Sequence, residues 1–89
     1  MRRDLSRESA EALAFEALAF LAGDDDRIGR FLAEAGLAAE ELRERAGDID
    51  FLRAVLEFLL TDDRQVSEFC AEAGIEPKVL HLAAHKLGG

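Results

Sequence analysis

Apolar residues recur along this chain at intervals of three and four, the spacing of a helix that buries one face, and nowhere at the strict interval of two that a half-buried strand needs. Leu13, Ala17, Phe20 and Leu21 form one stripe, widened by Ala14, Phe15 and Leu18, so a first helix is predicted to be largely buried. Ser6 stands where an N-cap belongs, with Glu8 in the first turn, and Gly23 follows the last periodic residue, Ala22. A second helix is capped by Asp24 or Asp25, turns Ile28, Phe31, Leu32 and Ala35 inward, and stops at Gly36 in a left-handed turn. A short third helix from about Ala39 to Ala46 presents Leu42 and Ala46 inward, with Leu37 in the preceding turn and Gly47 closing it. Asp48 caps a fourth, whose Phe51, Leu52, Val55, Leu56, Phe58, Leu59 and Leu60 make it the most apolar segment of the chain. Asp62 with Gln65 three residues on resembles a capping box for a fifth helix that ends at Gly74. Pro77 sits at the first position of a sixth, which runs to Leu87.

The pattern occurs twice. Ala17 to Ala46 recurs without a gap as Val55 to Ala84, at an offset of 38, and twelve of the thirty paired positions are identical. The matches are core and helix-end residues: Leu18 with Leu56, Phe20 with Phe58, Leu21 with Leu59, Phe31 with Phe69, Leu42 with Leu80, Ala46 with Ala84, the Asp24-Asp25 and Asp62-Asp63 turns, and the two AEAG segments ending at Gly36 and Gly74. A duplicated supersecondary unit buries its apolar face against its copy. The expectation is therefore an all-α fold of six short helices in two similar three-helix halves, about 9–47 and 48–87, forming one domain over residues 1–89. Helices one and four are expected at the centre, the Phe20/Phe58 and Phe31/Phe69 pairs in the core, and the halves about an approximate two-fold axis.

Apolar content near half, with about a third of residues charged, supplies a core and argues against disorder. The net charge of −8 disfavours nucleic acid as a partner, since it repels phosphate backbones, and it otherwise serves solubility or a basic protein partner. One cysteine, Cys70, has no second thiol for an internal disulfide. Arg2 and Arg3 are followed by Asp4, Ser6 and Glu8 rather than an apolar run, and the stretch from Ala12 to Ala22 is interrupted by Glu16 and too short for a bilayer. These features point to a cytoplasmic protein with no membrane association.

Candidate chemistry is sparse. Residues Phe31 to Leu42 and Phe69 to Leu80 carry a pattern resembling a helix-turn-helix, yet the helix after the first turn offers Glu40, Glu41, Arg43, Glu44 and Arg45, close to neutral. The second offers Lys78, His81, His85 and Lys86, less hostile to DNA. His81 and His85 share one helix face, but two ligands fall short of a zinc site, and Cys70 occupies the position of the core residue Leu32. Ser6, Ser9, Thr61 and Ser67 have no histidine nearby in sequence, and the aspartate pairs suit helix N-termini. No enzyme, metal or cofactor is expected. The informative positions are those where the halves disagree: Glu41, Glu44 and Arg45 become Val79, Leu82 and Ala83, so the last helix gains a second apolar face. That face either packs beneath the start of helix one or stays partly exposed at Val79, Leu82 and Leu87 to meet another chain.

The segments EALAFEALAFLAGDDDRIGRFLAEAGLAAEELR and FLRAVLEFLLTDDRQVSEFCAEAGIEP, with their ALAFLA and FLL stretches before acidic turns, resemble a small uncharacterised bacterial family best represented among alphaproteobacteria. The resemblance spans roughly Ser9 to Leu87 and implies this fold and compartment, while that family, a domain of unknown function, has no site residues to transfer. The functional expectation is a non-enzymatic protein-interaction or small regulatory domain. Its candidate surface is Lys78, Val79, His81, Leu82, His85 and Lys86, and its partner another protein or a second copy. The alternative is nucleic-acid binding through the second hairpin.

Overall fold

In a computed structural model the described residues, 5–88, form helices and no strand. Arg2, Arg3, Asp4 and Gly89 lie outside them. The helices are α1 (Arg7–Ala22), α2 (Asp25–Ala35), a 3-10 turn (Ala39–Glu41) running into the single-turn α3 (Leu42–Arg45), α4 (Ile49–Leu60), α5 (Asp63–Ala73) and α6 (Pro77–Gly88).

Their ends follow the offset of 38. Asp24 and Asp62 both sit in extended backbone, φ −137° and −136°, and each carboxylate accepts the N–H groups two and three residues on: Asp26 and Arg27 at 2.9 and 3.2 Å, Arg64 and Gln65 at 2.9 and 3.5 Å. Two donors that the first helical turn leaves orphaned are thereby satisfied, and a negative charge meets the positive end of the dipole. The other ends match as closely, with Gly36 and Gly74 at φ 71° and 72°. No neighbouring atom would obstruct a Cβ at either, so glycine is required there by the left-handed backbone rather than by space. Gly23 is different. Its φ of −75° is right-handed, and Thr61, its counterpart, holds nearly the same conformation with φ −78°, so α1 needs no glycine to end.

One start signal is only half made. Asp62 caps α5, but Gln65 returns no bond, and its Oε1 is buried with no hydrogen-bond partner. A complete return contact forms elsewhere: Glu41 Oε1 accepts the N–H of Ala38 at 2.8 Å and secures the weakest of the helix starts.

The core is assembled by exchange between the halves. The Phe31 ring on α2 meets the Phe58 ring on α4, with centroids 5.4 Å apart and planes at 68°. At the matching positions Phe69 on α5 meets Phe20 on α1, also at 5.4 Å, with planes at 62°. Phe31 further contacts Phe51 edge to face at 5.6 Å. Such geometry aligns the positive edge of one ring with the negative face of the other. Phe31 and Phe69 are buried as expected, whereas Phe20 and Phe58 are only half-buried and pack against the core from its rim. Phe20 is capped by the Arg27 guanidinium, 4.7 Å from its centroid, and Phe58 opens onto a shallow cleft of about 270 Å³ beside Thr61.

The two-fold resemblance fails at the third helix. Alongside α1 and α4, α6 is a central member: it packs lengthwise on both, burying Leu80, Ala83 and Leu87. Its counterpart buries no residue fully, and Leu42 remains half-buried. The lost cover shows in the first half, where Leu18 and Leu32 are half-buried while Leu56 and Cys70 at the matching positions are buried. It shows too in α1, which is less buried than its stripe predicts, with Phe15 45% exposed.

Phe31→Ala should cost about 3 to 5 kcal/mol in chemical denaturation, because the ring is buried and touches two others. Double-mutant cycles across Phe31/Phe58 and Phe20/Phe69 should give couplings of about 0.5 to 1.5 kcal/mol, and additive losses would contradict the exchanged core. Burial pushes the Cys70 thiol above its ordinary pKa. The native protein should accordingly react with a thiol reagent at neutral pH far more slowly than the unfolded chain, which stopped-flow mixing with and without denaturant measures.

Candidate interaction surface

α6 begins at Pro77, whose missing N–H is no loss in a first turn, and follows the left-handed Gly74. Because the helix lies against α1 and α4, one side of it is fixed as core: Leu80 and Ala83 have no exposed surface and Leu87 is 4% exposed. Leu87 thus leaves the candidate surface, and the divergence between the halves divides in two. Ala83 stands where the first half has Arg45 and lets α6 close on the central helices, since a guanidinium there would be buried without a partner. Leu82, one residue earlier on the helix, points outward and is 50% exposed. Val79 is half-buried against the core edge.

Lys78, His81, His85 and Lys86 are exposed on the same helix. Every lysine and histidine of the chain lies on this one element, which contains no aspartate or glutamate. The nearest acid along the chain, Glu76, stands 3.8 Å from the Lys78 ammonium, where both groups are well exposed and the attraction is screened. Positions 78, 81, 82, 85 and 86 follow the helical spacing of a single stripe, so a leucine is flanked by cationic or ionisable groups in a protein of net charge −8.

His81 and His85 also line a cleft of about 370 Å³ between α6 and α4, with Arg53, Glu57, Leu60, Ala84 and Gly88. Arg53 Nε lies 3.4 Å from Glu57 Oε2, and the last turn of α6 rests on the arginine stem, where a Cβ at Gly88 would fall 2.9 Å from Arg53 Cδ. Among the described residues no three His, Cys, Asp or Glu side chains gather in a metal-binding group, and no helix is long and apolar enough to cross a membrane.

Most of the other polar candidates have local duties, while Ser67 is exposed along α5. Ser6 Oγ accepts the Ser9 N–H at 3.0 Å, Thr61 donates to the Phe58 carbonyl at 2.7 Å, and Asp24, Asp48 and Asp62 cap helices. In the first helix-turn-helix-like pattern the second helix is a 3-10 turn and a single α-turn, too short to lie along a groove; in the second it is the 12-residue α6. Sequence reasoning missed a group of arginines, Arg27 and Arg30 of α2 and Arg64 of α5, that line one cleft. Its trace in the sequence is the offset of 38, which sets Arg27 against Gln65 and Arg30 against Glu68, unlike residues at matching positions.

A family model described as a protein of unknown function, DUF3572, matches residues 7–89. No curated protein and no solved structure matches the chain.

Proposed function

We infer that this chain, which belongs to the DUF3572 family, is a non-enzymatic interaction domain that offers the outer stripe of α6 to another protein or to a second copy of itself. The observation that carries this reading is Leu82: a large apolar side chain half in solvent, on a helix whose other leucines are buried. An isolated exposed leucine is ordinary on a protein surface. Here it sits within the chain's sole concentration of lysine and histidine, with Val79 beside it, and an apolar centre with a charged rim is the anatomy of a binding patch. The partner surface that fits is apolar at its centre and acidic at its edge. No metal or cofactor enters this reading, and Ser6, Thr61, Asp24, Asp48 and Asp62, which might otherwise suggest chemistry, serve helix ends.

Nucleic acid is the second reading, favoured by the absence of acids from α6 and by its place after the left-handed turn. It requires retention on DNA or RNA that falls steeply with salt. The acidic remainder of the chain opposes it.

Leu82→Glu should leave the stability within about 0.5 kcal/mol of the parent, as an exposed substitution does. The same change should abolish partner capture by the tagged protein in its host, or concentration-dependent self-association in sedimentation. Capture and sedimentation indistinguishable between the parent and the Val79→Glu/Leu82→Glu double variant would remove α6 as the interface. Retention of the parent on immobilised DNA or RNA at low ionic strength, lost on adding salt, would turn the assignment to the second reading.

A further inference from the structure

A second basic place lies away from the α6 face. Arg27 and Arg30 from α2 and Arg64 from α5 line a cleft of about 610 Å³, closed by Asp62, Gln65 and Glu68. Both acids are already engaged. Asp62 Oδ1 accepts the N–H groups of Arg64 and Gln65, and Glu68 Oε1 is paired with Arg27, whose guanidinium also lies over the Phe20 ring. Arg30 and Arg64 are exposed and have no carboxylate within ion-pair distance among the described residues.

The wall of the cleft contains a second feature. Gln65 is 3% exposed, and its Oε1 has no hydrogen-bond partner. A buried amide oxygen without a donor costs about 1 to 3 kcal/mol, so its persistence in the lining of an arginine-rich cleft calls for an explanation. A ligand that brings both negative charge and a hydroxyl group supplies one. Such a ligand would meet the arginines with its charge, and would reach Gln65 Oε1, which has no exposed surface here, only once that side chain turns toward the cleft.

We propose that this cleft binds a phosphate group, either orthophosphate or the phosphate of a small phosphorylated compound. Three guanidinium forks exceed what one planar carboxylate can engage, while a phosphate presents three or more oxygens with up to two charges and accepts charge-assisted bonds from several directions. The volume suits a small molecule. A polyanion is opposed by the net charge of −8, which acts over the whole surface, whereas a small anion need only enter the local field of the arginines. Arg30 and Arg64 hold the phosphate oxygens, and Arg27 joins them by releasing Glu68, an ion pair at a partly exposed site that contributes little to folding.

The test is an amide NMR titration of the full chain with sodium phosphate and, separately, glycerol 3-phosphate, at constant ionic strength held with sodium chloride and with sodium acetate as the carboxylate control. Both phosphates should produce saturable shifts confined to residues near 24–30 and 62–68. Arg30→Gln and Arg64→Gln, exposed positions that leave the fold intact by their amide spectra, should each weaken binding about tenfold, the worth of one charge-assisted hydrogen bond. Glu68→Gln removes the competing carboxylate and should strengthen binding by about two- to fivefold. Tighter binding of glycerol 3-phosphate identifies a phosphorylated metabolite as the ligand, and equal or tighter binding of orthophosphate identifies the free ion. No saturable shift with either phosphate, acetate binding as tightly as phosphate, or unchanged affinity in both arginine variants would overturn the proposal.

Discussion

The fold depends on two phenylalanine contacts that cross between its halves. Phe31 of α2 reaches Phe58 of α4, and Phe69 of α5 reaches Phe20 of α1, so each half completes its core with a ring from the other. A helical hairpin of about thirty residues encloses too little apolar surface to offset the entropy of ordering it. Exchange of aromatic rings makes the halves conditional on one another, and the elements around them are arranged accordingly. Asp24 and Asp62 set where α2 and α5 begin, and Gly36 and Gly74 set where they turn, leaving each ring one and a half to two turns from its cap. Of the six phenylalanines, five take part in these edge-to-face contacts, and the one left out, Phe15, is the exposed one.

A perfect two-fold would give α1 and α4 equal cover, and the third helices prevent it. α6 is a full helix with Leu80 and Ala83 facing the centre, whereas the matching segment presents Leu42 and then Arg45, a residue that resists burial. The first half therefore has a shorter lid and a softer interior, with Leu18, Leu32 and Leu42 half-buried. Both basic features arise from the same asymmetry. α6 has Val79 and Leu82 where the first half has Glu41 and Glu44, and one cleft is lined by Arg27 and Arg30 together with their unlike counterparts Gln65 and Glu68. What the halves share is scaffold.

Local rules carried the sequence reading a long way. Helix ends are set by interactions within a few residues, so Ser6, Asp24, Asp48, Asp62, Gly36, Gly74 and Pro77 were legible as caps, turns and a first position without any tertiary information. The failures are all tertiary. Two apolar faces on α6 gave no means of deciding which one meets α1, so burial and exposure of Leu87 both stayed open, and the structure places it in the core. The half-burial of Phe20 and Phe58 depends on how closely α5 and α2 approach, which periodicity does not encode. Gln65 satisfies the spacing of a capping box, yet its side chain is drawn into the cleft wall, a competition that spacing alone leaves open. The arginine cleft draws its lining from two helices far apart in sequence, and no window along the chain contains it.

Charge type separates the two basic places in what each suits. The α6 stripe is made of lysine and histidine around a leucine, and lysine is a mobile, strongly hydrated point charge that works at a wet rim. The α2–α5 cleft sets three arginines, planar forks of donors, among Asp62, Glu68 and the buried amide oxygen of Gln65, a set that works where geometry matters. In an acidic chain each of these is a local reversal of sign, and most of their charge has no part in holding the helices together: the lysines and histidines of α6 are exposed, and Arg30 and Arg64 have no ion-pair partner among the described residues, Arg27 alone pairing across to Glu68 and Phe20. Residues free of structural duty can be changed without altering the fold. The charges of Lys78 and Lys86, and separately those of Arg30 and Arg64, can therefore be removed while the exchanged phenylalanines stay in position, whereas Arg27, which lies over the Phe20 ring, belongs to both the cleft and the core rim.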